Sequence, residues 1–98
     1  MPIYRVIIHG RNFRLCIDGV WEKYGFYTPR WAEAPDSALA EQVALEDFRH
    51  SLKYLNLLER TVNSETDPPI LAGEDIEEVT EVAGNPAGGL ALYREAGD

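Results

Sequence analysis

The spacing of the hydrophobic residues changes twice along this 98-residue chain, and those changes limit the fold more than any other feature. Up to about residue 34 apolar and polar residues alternate, which is typical of strands with one buried face. From residue 37 the apolar residues recur at helical spacing, and beyond residue 70 short strand-like runs return. Because these parts must share one core, the sequence predicts an α+β fold. We expect an antiparallel sheet of four to five strands with one main helix packed on one face, in the order β-β-β-α-β-β.

The first two strands are predicted on either side of a short turn. Residues 3–9 are mostly β-branched or aromatic, and the glycine and asparagine at residues 10–12 indicate a turn. Apolar and polar residues then alternate over residues 13–17, as expected for a second strand. The dipeptide Asp18-Gly19 follows, and it predicts a two-residue hairpin because its backbone must adopt positive φ.

The third predicted strand, at residues 20–34, contains half of the aromatic residues of the chain. Pro29 lies within it and cannot donate a hydrogen bond to a neighbouring strand, so this strand should lie at a sheet edge or bend there. One helix cannot bury so many aromatic side chains. The segment therefore predicts a surface for an unknown protein partner, and a homodimer that packs face to face. The candidate interaction surface comprises Trp21, Tyr24, Tyr27, Arg30 and Trp31.

A single helix is predicted after the third strand. Asp36 or Ser37 can accept the free amide hydrogens of a helix start. We expect the helix over residues 37–50, with a continuation to residue 58. Its apolar stripe should face the sheet, with Phe48 and Leu52 in contact with it. The stripe comprises Ala40, Ala44, Phe48, Leu52 and Leu55.

The length of the chain fits a single domain, residues 1–98, with a polar linker at residues 61–69 and a frayed tail at residues 95–98. No apolar stretch approaches the roughly 20 residues of a membrane-spanning helix. Cys16 is the one cysteine, so no internal disulfide can form. These features predict a cytoplasmic protein that does not associate with membranes.

The net charge of −8 lies entirely in the C-terminal part of the chain. Residues 1–60 contain eight basic and eight acidic residues, whereas residues 61–98 contain one arginine and nine acidic residues. A solvated acidic strand explains this distribution, and so does a surface that docks a basic partner in an antitoxin-like or regulatory role. The candidate acidic docking face comprises Glu74, Asp75, Glu77, Glu78 and Glu81.

The sequence predicts no catalytic residue, no cofactor and no metal site. His9 and His50 lie in different predicted elements, and Cys16 has no cysteine partner, so no zinc spacing is present. Cys16 activated by His9 on a paired strand is geometrically allowed. A small packed cysteine is the favoured interpretation. No glycine-rich phosphate loop or serine nucleophile elbow occurs.

Binding of single-stranded nucleic acid is a further alternative. A sheet that combines basic and aromatic side chains can stack bases. The net charge of −8 argues against this role, because phosphate contacts supply most of the affinity. The basic residues concerned are Arg5, Arg11, Arg14, Lys23 and Arg30.

The run Gly25-Phe26-Tyr27-Thr28-Pro29-Arg30, followed by Glu33-Ala34, Asp36 and Ala40-Glu41, resembles a group of small bacterial proteins of uncharacterised function. This resemblance covers about the first half of the chain and implies no activity. The order of strands and helix also resembles HicB-type antitoxin domains, which implies a similar architecture alone.

Overall fold

The computed structural model describes residues 1–63, 66–80 and 90–95, which form one four-stranded antiparallel sheet and two helices. The elements are β1 (Ile3–Ile17), β2 (Val20–Glu33), α1 (Ser37–Arg49), α2 (Leu52–Arg60), β3 (Ile70–Val79) and β4 (Ala91–Arg94). The strand order in the sheet is β3-β1-β2-β4, so the long β1–β2 hairpin forms its centre. The predicted α+β class and antiparallel sheet are confirmed. The predicted order β-β-β-α-β-β is matched only in part, because two predicted strands are one strand and one predicted helix is two helices.

The turn predicted at residues 10–12 is a β-bulge inside β1. Arg11 and Asn12 together oppose a single residue of β2, and pairing resumes on both sides of them. Asn12 adopts a φ of 66°, a conformation that asparagine tolerates better than most residues. The glycine and asparagine at residues 10–12 are therefore compatible with a bulge as well as with a turn. The hairpin predicted at Asp18-Gly19 is confirmed, with φ values of 53° and 80°.

The single predicted helix is divided at residues 50–51. Asp36 caps α1 as predicted, since its carboxylate accepts a hydrogen bond from the Leu39 N–H at 2.9 Å. A second cap, Ser51, accepts a hydrogen bond from the Tyr54 N–H at 3.3 Å and starts α2. Neither glycine nor proline marks this break in the sequence.

The division of the helix changes which residues face the sheet. Phe48 is fully buried, as predicted. Leu52 is 76% exposed and Leu55 is 45% exposed, so their predicted places in the core are wrong. Tyr54 and Leu57 are buried instead, because the new start at Ser51 turns the apolar stripe of α2 away from the line of α1.

Four aromatic rings join both helices to the same face of the sheet. Phe26 lies 5.3 Å from Phe13 and 5.6 Å from Phe48, between ring centroids. Tyr54 of α2 completes the cluster at 5.1 Å from Phe48. Aliphatic residues of β1, among them Val6 and Ile8, are fully buried beside these rings. The core therefore lies between one face of the sheet and the two helices.

The edges of the sheet differ along its length. Within the described part of the chain β4 pairs only with residues 24–27, so β2 is an edge strand over residues 28–33, as Pro29 predicts.

Part of the predicted polar linker contacts β1, since the Val62 N–H donates to the Arg14 carbonyl at 3.0 Å. No helix among the described residues is long and apolar enough to cross a membrane.

Candidate functional site

The helices cover one face of the sheet, and no other described element packs on the opposite face, which we call the open face. It is formed by the odd-numbered residues of β2 and by their partners on the neighbouring strands. Four side chains from four strands meet near its middle, and we call them the His9 cluster. They are His9 of β1, Tyr27 of β2, Glu74 of β3 and Tyr93 of β4.

The ring of Tyr27 covers His9. The two residues are paired across β1 and β2, and their rings stack at a centroid distance of 4.3 Å with planes 10° apart. As a result His9 is only 8% exposed although it lies on the open face. Tyr27 itself remains 39% exposed.

Both nitrogens of His9 make hydrogen bonds. Nδ1 lies 2.7 Å from Glu74 Oε1, and Nε2 lies 2.5 Å from the Tyr93 hydroxyl oxygen. An ionised carboxylate can only accept, so Nδ1 carries a proton and donates to Glu74. In the neutral ring Nε2 then accepts the hydroxyl proton of Tyr93.

Two backbone features bring these side chains together. Glu74 is the extra residue of a bulge, since Gly73 pairs with Ile8 and Asp75 with Ile7. On the other side of the cluster the ring of Tyr93 lies directly over Gly25, where any Cβ would overlap with it. A glycine at this position therefore gives Tyr93 the room to reach His9.

Within the His9 cluster, a hydrogen-bonded chain of carboxylate, imidazole and hydroxyl groups links three strands, β3, β1 and β4. Partial burial, and next the neighbouring Tyr27 and Glu95, raise the pKa of Tyr93. The raised pKa favours the protonated hydroxyl, which donates a hydrogen bond to His9 Nε2. The arrangement fixes β3 and β4 to β1 and forms a flat aromatic centre on the open face.

Charged residues flank this centre with opposite signs. On the β3 side the Arg5 guanidinium lies 3.9 Å from Asp75 and 3.7 Å from Glu77. At the hairpin end Arg14 and Lys23 are directly paired across β1 and β2 on the same face. The open face thus has an acidic region on β3 and a basic region near the hairpin.

The structure brings together three of the five residues predicted for the interaction surface. Trp21, Tyr27 and Trp31 all lie on the open face, and Trp21 is 48% exposed. Tyr24 and Arg30 lie on the helix-covered face, because side chains alternate along β2. The Arg30 guanidinium is 5.3 Å from the centre of the Phe48 ring and also contacts Asp47 of α1.

The predicted acidic docking face is divided between the two sides of the sheet. Asp75 and Glu77 lie on the open face next to Arg5, and Glu74 contacts His9. Glu78 pairs with Tyr4 and points to the helix-covered side. Glu81 lies outside the described residues.

Cys16 and His9 are not close to each other. Both belong to β1, seven residues apart, because the turn expected between them is a bulge. Cys16 is exposed on the open face, so the favoured interpretation as a small packed cysteine is wrong. Among the described residues no group of three or more histidine, cysteine or acidic side chains converges as metal ligands would.

Sequence reasoning missed Tyr93 and the role of Glu74. Their separations from His9 are 84 and 65 residues, so no local spacing indicates their contact. A histidine at an alternating, outward-facing position of a strand was the one available signal.

Comparison with known proteins gives no homologue: no family model, no curated protein and no solved structure matches the chain. The resemblance to small bacterial proteins and to HicB-type domains therefore stays a prediction.

Proposed function

We propose that this protein is an interaction module that binds another protein through the open face of its sheet. The observation that carries the proposal is the exposure of large aromatic side chains there. Trp21 is 48% exposed and Tyr27 is 39% exposed, and both lie on the side of the sheet opposite the helices. Large aromatic residues with a polar tip are enriched in protein interfaces.

The polar groups of the open face also fit this role. His9 already has two partners within the chain, so a protein that covers the His9 cluster would leave neither ring nitrogen unpaired. The aromatic centre between two charged regions has the arrangement of an apolar interface core with a polar rim.

Two other functions have less support from the same geometry. For a basic partner, the predicted acidic face is divided between the two sides of the sheet, and Arg5 offsets part of the charge of Asp75 and Glu77 on the open face. For nucleic acid, the Lys23 ammonium lies 3.6 Å from Asp67, and Arg30 is on the opposite face. The open face therefore has little unpaired positive charge on which phosphate binding depends.

Photo-crosslinking in living cells tests the proposal. A light-activated phenylalanine analogue would replace Tyr27 on the open face or, as the matched control, Leu55 on α2, which is similarly exposed. We expect crosslinked protein adducts from position 27 and few from position 55. Equal yields from both positions, or adducts from position 55 alone, would contradict the proposed function.

A further inference from the structure

We infer that the partner of the open face is a second copy of this chain, packed face to face. The two-fold axis lies between the two sheets and runs across the strands near Gly25. This inference rests on the proposed function and names the partner of the same surface. Its basis is a repeat of matching groups at equal distances on either side of one level of the sheet, the level at which Gly10 pairs with Phe26.

The aromatic residues show the symmetry first. Trp21 lies five residues from Phe26 towards the hairpin, and Trp31 lies five residues from it in the other direction. A two-fold axis through this level places Trp21 of one copy against Trp31 of the other, and the reverse at the other end. The Tyr27 rings of both copies meet near the axis.

The charges repeat at the same spacing with opposite sign. Arg14 pairs with Lys23, which lies three residues from Phe26 towards the hairpin. Asp75 pairs with Ile7, and the β2 partner of Ile7 is Pro29, which lies three residues from Phe26 in the other direction. The same axis therefore places Arg14 of one copy across the interface from Asp75 of the other, with a lateral offset of one strand spacing, about 5 Å, which both side chains can span. Any surface can be acidic at one end, but opposite charges at equal distances from one axis specifically favour a second copy.

The size of the open face is sufficient for a stable dimer. With strands about 4.8 Å apart and a rise of about 3.3 Å per residue, the four strands present roughly 700 Å² of flat area. Side chains increase the accessible area above this value. A standard interface buries about 800 Å² per partner, and two sheets can pack face to face at about 10 Å.

A charge-reversal experiment tests the inference and the register together. Asp75→Lys alone and Arg14→Glu alone each place like charges opposite one another at both ends of the dimer. We expect each variant to raise the dimer Kd by at least about tenfold in sedimentation velocity at low salt. An equimolar mixture should restore wild-type association, because in the mixed dimer both ends have opposite charges.

The outcomes separate the inference from the proposed function. A dimer that neither substitution weakens, or a mixture that stays as weak as its components, would overturn the two-fold arrangement. A wild-type chain that remains monomeric up to millimolar concentration would overturn the inference altogether. In that case, adducts to a different protein from position 27 would still support the open face as a binding surface. Thermal unfolding of both variants checks their folding, and surface pairs such as Arg5–Asp75 contribute little to stability.

Discussion

Replacing Trp21 by alanine should weaken self-association while leaving the fold intact. Trp21 is 48% exposed, and since a tryptophan buries up to about 250 Å², roughly 120 Å² remains for an interface. At about 25 cal/mol per Å² this area is worth about 3 kcal/mol per side chain. A two-fold dimer contains two such side chains. If a partner covers half of their exposed area, the loss is about 3 kcal/mol, or a roughly hundredfold rise in Kd.

Sedimentation velocity over a dilution series measures this effect. Leu55→Ala is the matched control, because Leu55 is 45% exposed but lies on α2, behind the sheet. The free energy of unfolding of the Trp21→Ala monomer should fall by about 1 kcal/mol or less, the size of one cross-strand contact with Cys16. Equal dimer Kd values for Trp21→Ala, Leu55→Ala and the wild type would refute the reasoning.

Three further predictions concern stability. Phe48→Ala should lower the free energy of unfolding by about 3–5 kcal/mol through a core cavity, whereas Leu52→Ala should change it by about 0.5 kcal/mol or less; urea unfolding compares the two. Tyr93→Phe should lower the free energy of unfolding by about 1 kcal/mol, because it removes the hydrogen bond to His9. In a His9→Phe background the same substitution should cost almost nothing, and equal costs in the two backgrounds, measured by thermal unfolding, would count against the bond. Burial raises the pKa of Tyr54 above 10.0. The free energy of unfolding that this shift adds is therefore fully present below the pKa of the unfolded chain, and it is lost as pH rises through the pKa of the folded protein. Tyr54→Phe should therefore flatten the alkaline loss of stability measured by urea unfolding above about pH 10, and an unchanged slope would contradict this.

Local signals predicted the parts of the fold that depend on neighbouring residues. The cap at Asp36, the hairpin at Asp18-Gly19 and the burial of Phe48 each follow from a pattern within a few positions. The edge character of β2 also follows locally, from the missing N–H of Pro29.

Two errors came from signals that have more than one structural meaning. Asn12 can adopt positive φ in a turn or in a bulge, and only the pairing with β2 decides between them. At residues 50–51 the apolar spacing continues, so it suggests one helix. The Ser51 cap divides it, and this changed the predicted core residues of α2.

The candidate site could be predicted only in part. Trp21, Tyr27 and Trp31 of the predicted interaction surface do share one face of β2, but the local sequence could not reveal that the described helices cover only the other face. The contacts of His9 with Glu74 and Tyr93 depend on the positions of β3 and β4 on opposite sides of the hairpin. Topology of that kind has no local sequence signature.

A concentration series of proton–nitrogen NMR spectra tests most directly the central claim, that this chain associates with a second copy through its open face. The chain has two tryptophans, both on the open face, so its two indole N–H signals report on that surface. We predict that both indole signals shift together between micromolar and millimolar concentration, while the amide signals of Leu55 and Glu59 on α2 stay constant. Constant indole signals, or shifts confined to the amides of α2, would contradict the account.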